Sequence, residues 1–336
     1  MGFVRGGVSN CPVTSDSRPC LWRALLYALP FNMRRIVALL FAIVFLASPA
    51  FAAEKKAAAK KPAPAAASTK AESPGISKPF TVNNDDANIF PYLEAKSAIL
   101  CDAATGKILY EKNADQPRGV ASTQKLMTAL IIAEAGGLDN NMRVYSADSD
   151  CEPTKLGLHD GETYKRYDLL KVMLIKSMND VARCLARDNA GSIDAFAEKM
   201  NAKAREIGMK NTNFVNPNGL TEAGQYSTAR DMCRLGLFAY RNRVLRGIIS
   251  TRTLTWKYAS GKAVVFENTN KLLKSFGLCN GMKTGYTDAA GNCLVASASS
   301  GGKHVICVVL GDQRRQGIWN DSYRLLNWGL NQLKDE

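Results

Sequence analysis

Histidine is nearly missing from this chain: the 336 residues contain two, His159 and His304. With so few, a Ser-His-Asp triad is close to excluded, and no G-x-S-x-G elbow is present to seat its serine. A zinc hydrolase fares no better, because there is no H-E-x-x-H and two imidazoles supply few ligands. His159 lies in the turn Leu158-His159-Asp160-Gly161 and His304 follows a turn into a strand, so structural roles suffice for both. The nine cysteines contain no C-x-x-C and no metal-ligand spacing, so neither a metal nor another cofactor is expected. The apolar run Ile36–Leu46 has 11 residues, too few for a comfortable permanent membrane span. No nucleic-acid motif accompanies the net charge of +14, so a nucleic-acid partner is not expected either.

What the N-terminal region does contain is an export signal. Met33-Arg34-Arg35 opens a basic stretch, Ile36–Leu46 is the apolar segment, and Ala50-Phe51-Ala52 is a small-residue cleavage pattern. Residues 33–52 therefore read as a signal peptide. Such a segment should begin a protein, so residues 1–32 read as an over-extended start, with Met33 as the true one. A long basic leader or an uncleaved anchor is the alternative. Residues 53–83 are rich in Ala, Lys and Pro and too poor in large apolar side chains to offset the entropy of ordering, which predicts a flexible tether. Residues 84–336 are long enough for one sizeable core with two subdomains. Beyond residue 52 the chain carries 39 basic and 29 acidic side chains, a balance that favours anionic polymers or membrane surfaces. Seven cysteines remain there. Cys101, Cys293 and Cys307 in apolar strand-like stretches and Cys184 in a helical one read as small buried hydrophobes. Export permits a disulfide, but no spacing identifies a pair.

Ser97–Asp102 and Lys107–Tyr110 read as a hairpin turning at Ala104-Thr105-Gly106. The Ala/Leu/Ile/Met-rich run 122–135 stops at Gly136-Gly137 as a helix should. Helical periodicity continues through Leu169–Ile175, Asp180–Asn189 and Ile193–Ile207. A further helix, Ala229–Tyr240, is preceded by Ser227-Thr228 as its N-cap. Thr251–Lys257, Ala263–Phe266, Gly281–Thr287, Cys293–Ala298 and His304–Leu310 are strand-like, and Trp319–Leu333 closes the chain as an amphipathic helix. Strands at both ends and helices between them predict an α+β fold. One antiparallel sheet is flanked by helices, with an inserted all-helical lobe.

Three short motifs stand in order on this framework: Ser122-Thr123-Gln124-Lys125, Ser177-Met178-Asn179 and Lys283-Thr284-Gly285, with 52 positions from Lys125 to Ser177 and 104 from Asn179 to Lys283. A serine needs a base, and with histidine excluded a lysine one helical turn away can take that part. Ser122 at a helix start would meet free N–H groups and the positive end of the dipole. Lys125 must then be neutral, and burial together with the charge of Lys283 would lower its pKa. Ser177 would relay a proton to the leaving amine, and Asn179 would hold Lys125 and the substrate backbone. Lys283 and Thr284 would bind a terminal carboxylate, while Gly285 permits close approach of another backbone to its strand. Each motif also has an ordinary reading: a polar helix start, an N-cap, and a loosely packed edge strand. A second S-x-x-K, Ser300–Lys303, falls in a glycine-rich turn unsuited to catalysis.

Longer strings narrow the choice. Phe214-Val215-Asn216-Pro217-Asn218-Gly219-Leu220, Tyr226–Asp231, Asn268-Thr269-Asn270 and Lys283–Gly291 resemble the serine-type D-alanyl-D-alanine carboxypeptidases, the low-molecular-mass penicillin-binding proteins, from about Phe90 to Leu330. The resemblance implies a β-lactamase/transpeptidase-like fold. It implies Ser122 as acyl-ester nucleophile and Lys125 as proton acceptor, with Ser177 and Asn179 forming a second wall. Lys283, Thr284 and Gly285 would form a third, and the N–H groups of Ser122 and Tyr286 an oxyanion hole. The substrate implied is the peptidoglycan stem peptide, with β-lactams as covalent inhibitors. The middle motif departs from the family's frequent Ser-Gly-Asn, and Met178 should be tolerated because it need not enter the cleft. Well-known relatives continue into a β-rich domain and a membrane anchor, so no stable membrane anchor is expected here.

Three other readings share the motifs. A DD-endopeptidase uses the same residues. A β-lactamase needs a deacylating device, and Glu152-Pro153-Thr154-Lys155-Leu156 lies before Ser177, the wrong side for it. A non-catalytic peptidoglycan-binding or β-lactam-sensing module is the alternative of another class. Export implies a periplasmic or secreted protein, loosely held to wall or membrane surfaces.

Overall fold

The computed structural model describes residues 92–333. The expected over-extended start, signal peptide and tether, residues 1–32, 33–52 and 53–83, lie outside the described residues. Strands β1 (Ser97–Asp102) and β2 (Ile108–Lys112) form the predicted hairpin at one edge of a five-stranded sheet. Strands β7 (Cys279–Thr287), β8 (Gly291–Ser300) and β9 (Lys303–Asp312) complete it in the order β2-β1-β9-β8-β7, with every pairing antiparallel. Two-residue periodicity divides these strands between two cores. Ile99, Cys101, Cys293, Val295, Ile306 and Val308 face the larger one. Ala98, Leu100, Leu294, Cys307 and Val309 face a smaller one, covered by Leu325, Leu326 and Leu330 of the C-terminal helix Gly317–Gln332.

The larger core is shared with the helices between β2 and β7. Helix α1 (Lys125–Ala135) is buried from Lys125 through Ile132. Apolar on all sides, it can only be the centre of a packed lobe. Around it lie α2 (Arg166–Lys176), α3 (Asn179–Ala190) and α4 (Ile193–Glu206), with α5 (Ala229–Arg241) joining the lobe to the sheet. Thr228 caps α5, its side chain accepting from the Asp231 N–H at 3.1 Å. Ser227 does not share that work, because its hydroxyl is hydrogen-bonded to Thr212 at 2.8 Å.

The helical lobe also carries two short ladders. Strands β3 (Asn141–Arg143) and β4 (Thr163–Lys165) pair with each other, as do β5 (Thr253–Lys257) and β6 (Ala263–Glu267). The last two were expected as strands, and they stay outside the main sheet because every second side chain is exposed, leaving no second apolar face to bury. Among the described residues no helix is long and apolar enough to cross a membrane.

Candidate active site

The run expected as a single helix from residue 122 has a break in it. Residues Ala121–Gln124 form a 3-10 turn, and the α-helix begins at Lys125. Ala121 has φ +48°, a left-handed conformation that is strained for a residue bearing a Cβ. Two glycines let other backbone come close to this turn. A Cβ on Gly219, whose φ is +87°, would lie 2.3 Å from the Ala121 carbonyl oxygen, and one on Gly285 would lie 2.8 Å from the Ser122 nitrogen. The Asn218-Gly219 loop and strand β7 thus close on the backbone of Ser122 from two directions, and only glycine fits.

Lys125 is fully buried. Its Nζ lies 2.9 Å from Ser122 Oγ, 2.7 Å from Asn179 Oδ1 and 2.5 Å from the Asn218 carbonyl oxygen. A neutral amine has two N–H donors and one lone pair. Here Nζ donates to Ser122 Oγ, whose hydroxyl donates to the Asn218 carbonyl at 3.3 Å; as a neutral amine, Lys125 would keep the Asn179 and Asn218 carbonyls on its two donors and turn its lone pair to that hydroxyl. Burial holds the Lys125 pKa well below its ordinary value, and the nearby Lys283 charge lowers it further. Lys283, also fully buried, is pushed down to about 7 by desolvation, and its Nζ donates to the Thr284 carbonyl at 2.8 Å. The arrangement can take a proton from Ser122 without histidine.

Asn179 opens α3, but it does not cap that helix. Met178 is the N-cap and no side chain closes it. Asn179 instead accepts from Lys125 and donates its Nδ2 to the Pro153 carbonyl, while its backbone N–H reaches the Thr154 carbonyl at 2.9 Å. Ser177 ends α2 with φ +71°, a second strained non-glycine residue beside the site. Among the described residues no hydrogen bond joins its hydroxyl to Ser122 or Lys125. Met178 packs in the larger core, which is why its side chain is compatible with this motif.

On the third wall the Thr284 hydroxyl donates to Thr269 Oγ1 at 2.7 Å. The Tyr286 ring is 61% exposed, its hydroxyl donating to Asp288 at 2.8 Å, so only its backbone is directed by the strand. Strand β7 is an edge strand of the sheet, at the end opposite β2.

Two parts of the site carry no motif. The Asn218 carbonyl belongs to the backbone and is invisible to side-chain patterns. Residues 151–158 pass beside Asn179 because buried Asp180 gathers the N–H groups of Leu156, Gly157 and Leu158. Within that segment Glu152 is exposed and paired with Lys155. Among the described residues no group of three or more His, Cys, Asp or Glu side chains is placed to hold a metal ion.

Residues 83–314 match the family described as D-alanyl-D-alanine carboxypeptidase, peptidase S11. The D-alanyl-D-alanine carboxypeptidase DacF of Bacillus subtilis is 38% identical over 223 residues, which is 65% of this chain and 57% of that protein. The chain therefore spans little more than half the length of that curated relative. The D-alanyl-D-alanine endopeptidase of Escherichia coli is 35% identical over 246 residues, 71% of this chain and 78% of that one. The crystal structure of the D-alanyl-D-alanine carboxypeptidase DacD from Francisella tularensis superposes with a TM-score of 0.69 at 29% identity, covering 76% of this chain and 72% of its own. The chain belongs to the D-alanyl-D-alanine carboxypeptidase family.

Proposed function

We propose that this member of the D-alanyl-D-alanine carboxypeptidase family is an exported serine hydrolase that removes the terminal D-alanine from peptidoglycan stem peptides. The observation that carries the reading is the buried Lys125 Nζ, 2.9 Å from Ser122 Oγ, with burial holding its pKa well below the ordinary value. Lys125 takes the proton as Ser122 Oγ attacks the carbonyl of the penultimate residue. The backbone N–H groups of Ser122 and Tyr286 hold the oxyanion. The amine of the terminal D-alanine leaves with a proton relayed through Ser177, and water then hydrolyses the acyl ester.

Binding follows from the same groups. The edge of β7 accepts an extended peptide as an added strand. Lys283 and Thr284 receive the terminal carboxylate, and an anion there raises the Lys283 pKa from about 7 and keeps it charged. A β-lactam presents a carboxylate and an acylating carbonyl together, so it forms an ester with Ser122. Residues 33–52 direct export and 53–83 tether residues 84–336, the catalytic domain, loosely to anionic wall or membrane surfaces in the periplasm or outside the cell.

A DD-endopeptidase is the second reading. It is favoured by one observation: the Escherichia coli endopeptidase is 35% identical to this chain, close to the 38% of DacF. Purified protein supplied with a stem pentapeptide and, separately, with a D-alanine-cross-linked dimer decides between them. Release of free D-alanine supports the carboxypeptidase, and cleavage of the dimer alone supports the endopeptidase. If fluorescent penicillin labels the protein but neither substrate is cut, both readings fail.

A further inference from the structure

Two cysteines meet in the larger core although nothing in their spacing announces it. Cys101 on β1 and Cys233 on α5 are both fully buried, with their sulfurs 3.0 Å apart. All seven described cysteines are free thiols. Among the described residues no other two cysteines are hydrogen-bonded through their sulfurs. A disulfide needs an S–S distance of about 2.05 Å, so a closure of about 1 Å separates contact from bond. The β1–β2 ladder shifts register between Leu100 and Cys101, the kind of bulge that re-aims a side chain. The hydrogen bond from Cys233 and burial raise the Cys101 pKa, so in the finished fold this thiol is a poor nucleophile that solvent does not reach.

We propose that Cys101 and Cys233 form a structural disulfide joining the sheet to helix α5, made while the chain folds. One cysteine, as thiolate, attacks a disulfide oxidant, forming a mixed disulfide and expelling the oxidant's first thiolate. The other cysteine then attacks the protein sulfur of that mixed disulfide and expels the second thiolate. The protein loses two protons and two electrons, and the oxidant becomes a dithiol. In the cell the oxidant is a dithiol–disulfide oxidoreductase of the export compartment, and in that setting alone the proposal rests on export. The bond closes a loop across a sequence separation of 132 residues. That loop contains Ser122, Lys125, Ser177 and Asn179 but not Lys283, so it pins the lobe that carries two of the motifs against the sheet that carries the third.

Tryptic peptides make the test unambiguous, because Ser97–Lys107 contains Cys101 as its one cysteine and Asp231–Arg234 contains Cys233 as its one. The full chain is denatured, reduced and refolded with a couple of oxidised and reduced glutathione, thiols are alkylated, and the digest is analysed without reduction. The expected result is the two peptides linked to each other. The oxidised protein should also melt roughly 5–15 °C above the reduced one, a gap that Cys101→Ala/Cys233→Ala abolishes. Recovery of both peptides alkylated, either sulfur joined to a different cysteine, or a gap that survives the double substitution overturns the proposal. The peptide map is read whether or not the protein takes penicillin, so this inference and the proposed activity fail separately.

Discussion

Replacing Lys125 with Met keeps a long, flexible side chain in the buried site and removes the nitrogen that would accept the Ser122 proton. Neither histidine can take its place: His159 is exposed on a turn, and His304 Nδ1 is 3.0 Å from the Tyr240 hydroxyl. Loss of a general base costs about 100- to 10,000-fold in rate, which is about 3–5 kcal/mol of barrier. The effect on stability is smaller because two terms oppose each other. The Asn179 Oδ1 and Asn218 carbonyl acceptors lose their donor, at about 1–3 kcal/mol each. Against this, the variant no longer carries an amine that must give up its proton to be buried, worth about 1.4 kcal/mol for each unit of pKa depression. The assay is the second-order rate constant for acylation by a fluorescent penicillin, with the melting temperature measured on the same sample. A folded Lys125→Met protein that acylates within about tenfold of the parent refutes the Ser/Lys pairing, because the loss is then below the range for a general base.

Lys283 gives a prediction in pH. Its folded pKa of about 7 lies below the unfolded value of 10.5, so between them the unfolded chain binds more protons and stability rises with pH. From pH 7 to 8.5 this contributes roughly 1.5 kcal/mol, which Lys283→Met should remove from the gain seen in the parent by chemical denaturation; an unchanged slope would show that Lys283 titrates normally. Gly219→Ala forces a Cβ to within 2.3 Å of the Ala121 carbonyl at φ +87°, so acylation should fall at least about tenfold and stability by roughly 1–3 kcal/mol; parental kinetics would mean that the loop does not shape the turn at Ser122. Glu152→Gln should leave the release of bound penicillin unchanged within about twofold, since Glu152 is exposed and paired with Lys155. A large slowing of release would instead revive the β-lactamase reading.

Much of the framework was legible because it is local. The apolar run after Lys125 with its Gly136-Gly137 stop, the Thr228 cap of α5, and the last two strands on either side of the glycine-rich turn at Ser300–Lys303 all follow from short-range pattern and appear close to their expected bounds. The candidate site residues were legible as types, since a candidate serine nucleophile without usable histidine points to lysine. What escaped was set by contacts distant in sequence. The turn at Ala121 is closely approached by the backbones of Gly219 and Gly285, 98 and 164 positions later. The segment 151–158 becomes a wall of the site through Asp180 and Asn179, neither of which marks it in advance. Of the two readings the middle motif offers, an N-cap or a partner of Lys125, the Asn179 side chain takes the second, while its bond to the Pro153 carbonyl has no mark in the sequence. Strands of three residues, such as Asn141–Arg143, are too short for alternation to register.

The central claim is that Ser122 is the atom acylated. Full-length protein is exposed to a penicillin, digested with trypsin, and the adduct located by mass spectrometry. The account predicts a single adduct on the peptide Gly119–Lys125, carried by Ser122, and none in Ser122→Ala protein that melts at the parental temperature. An adduct on another residue, or undiminished labelling of folded Ser122→Ala, would contradict it.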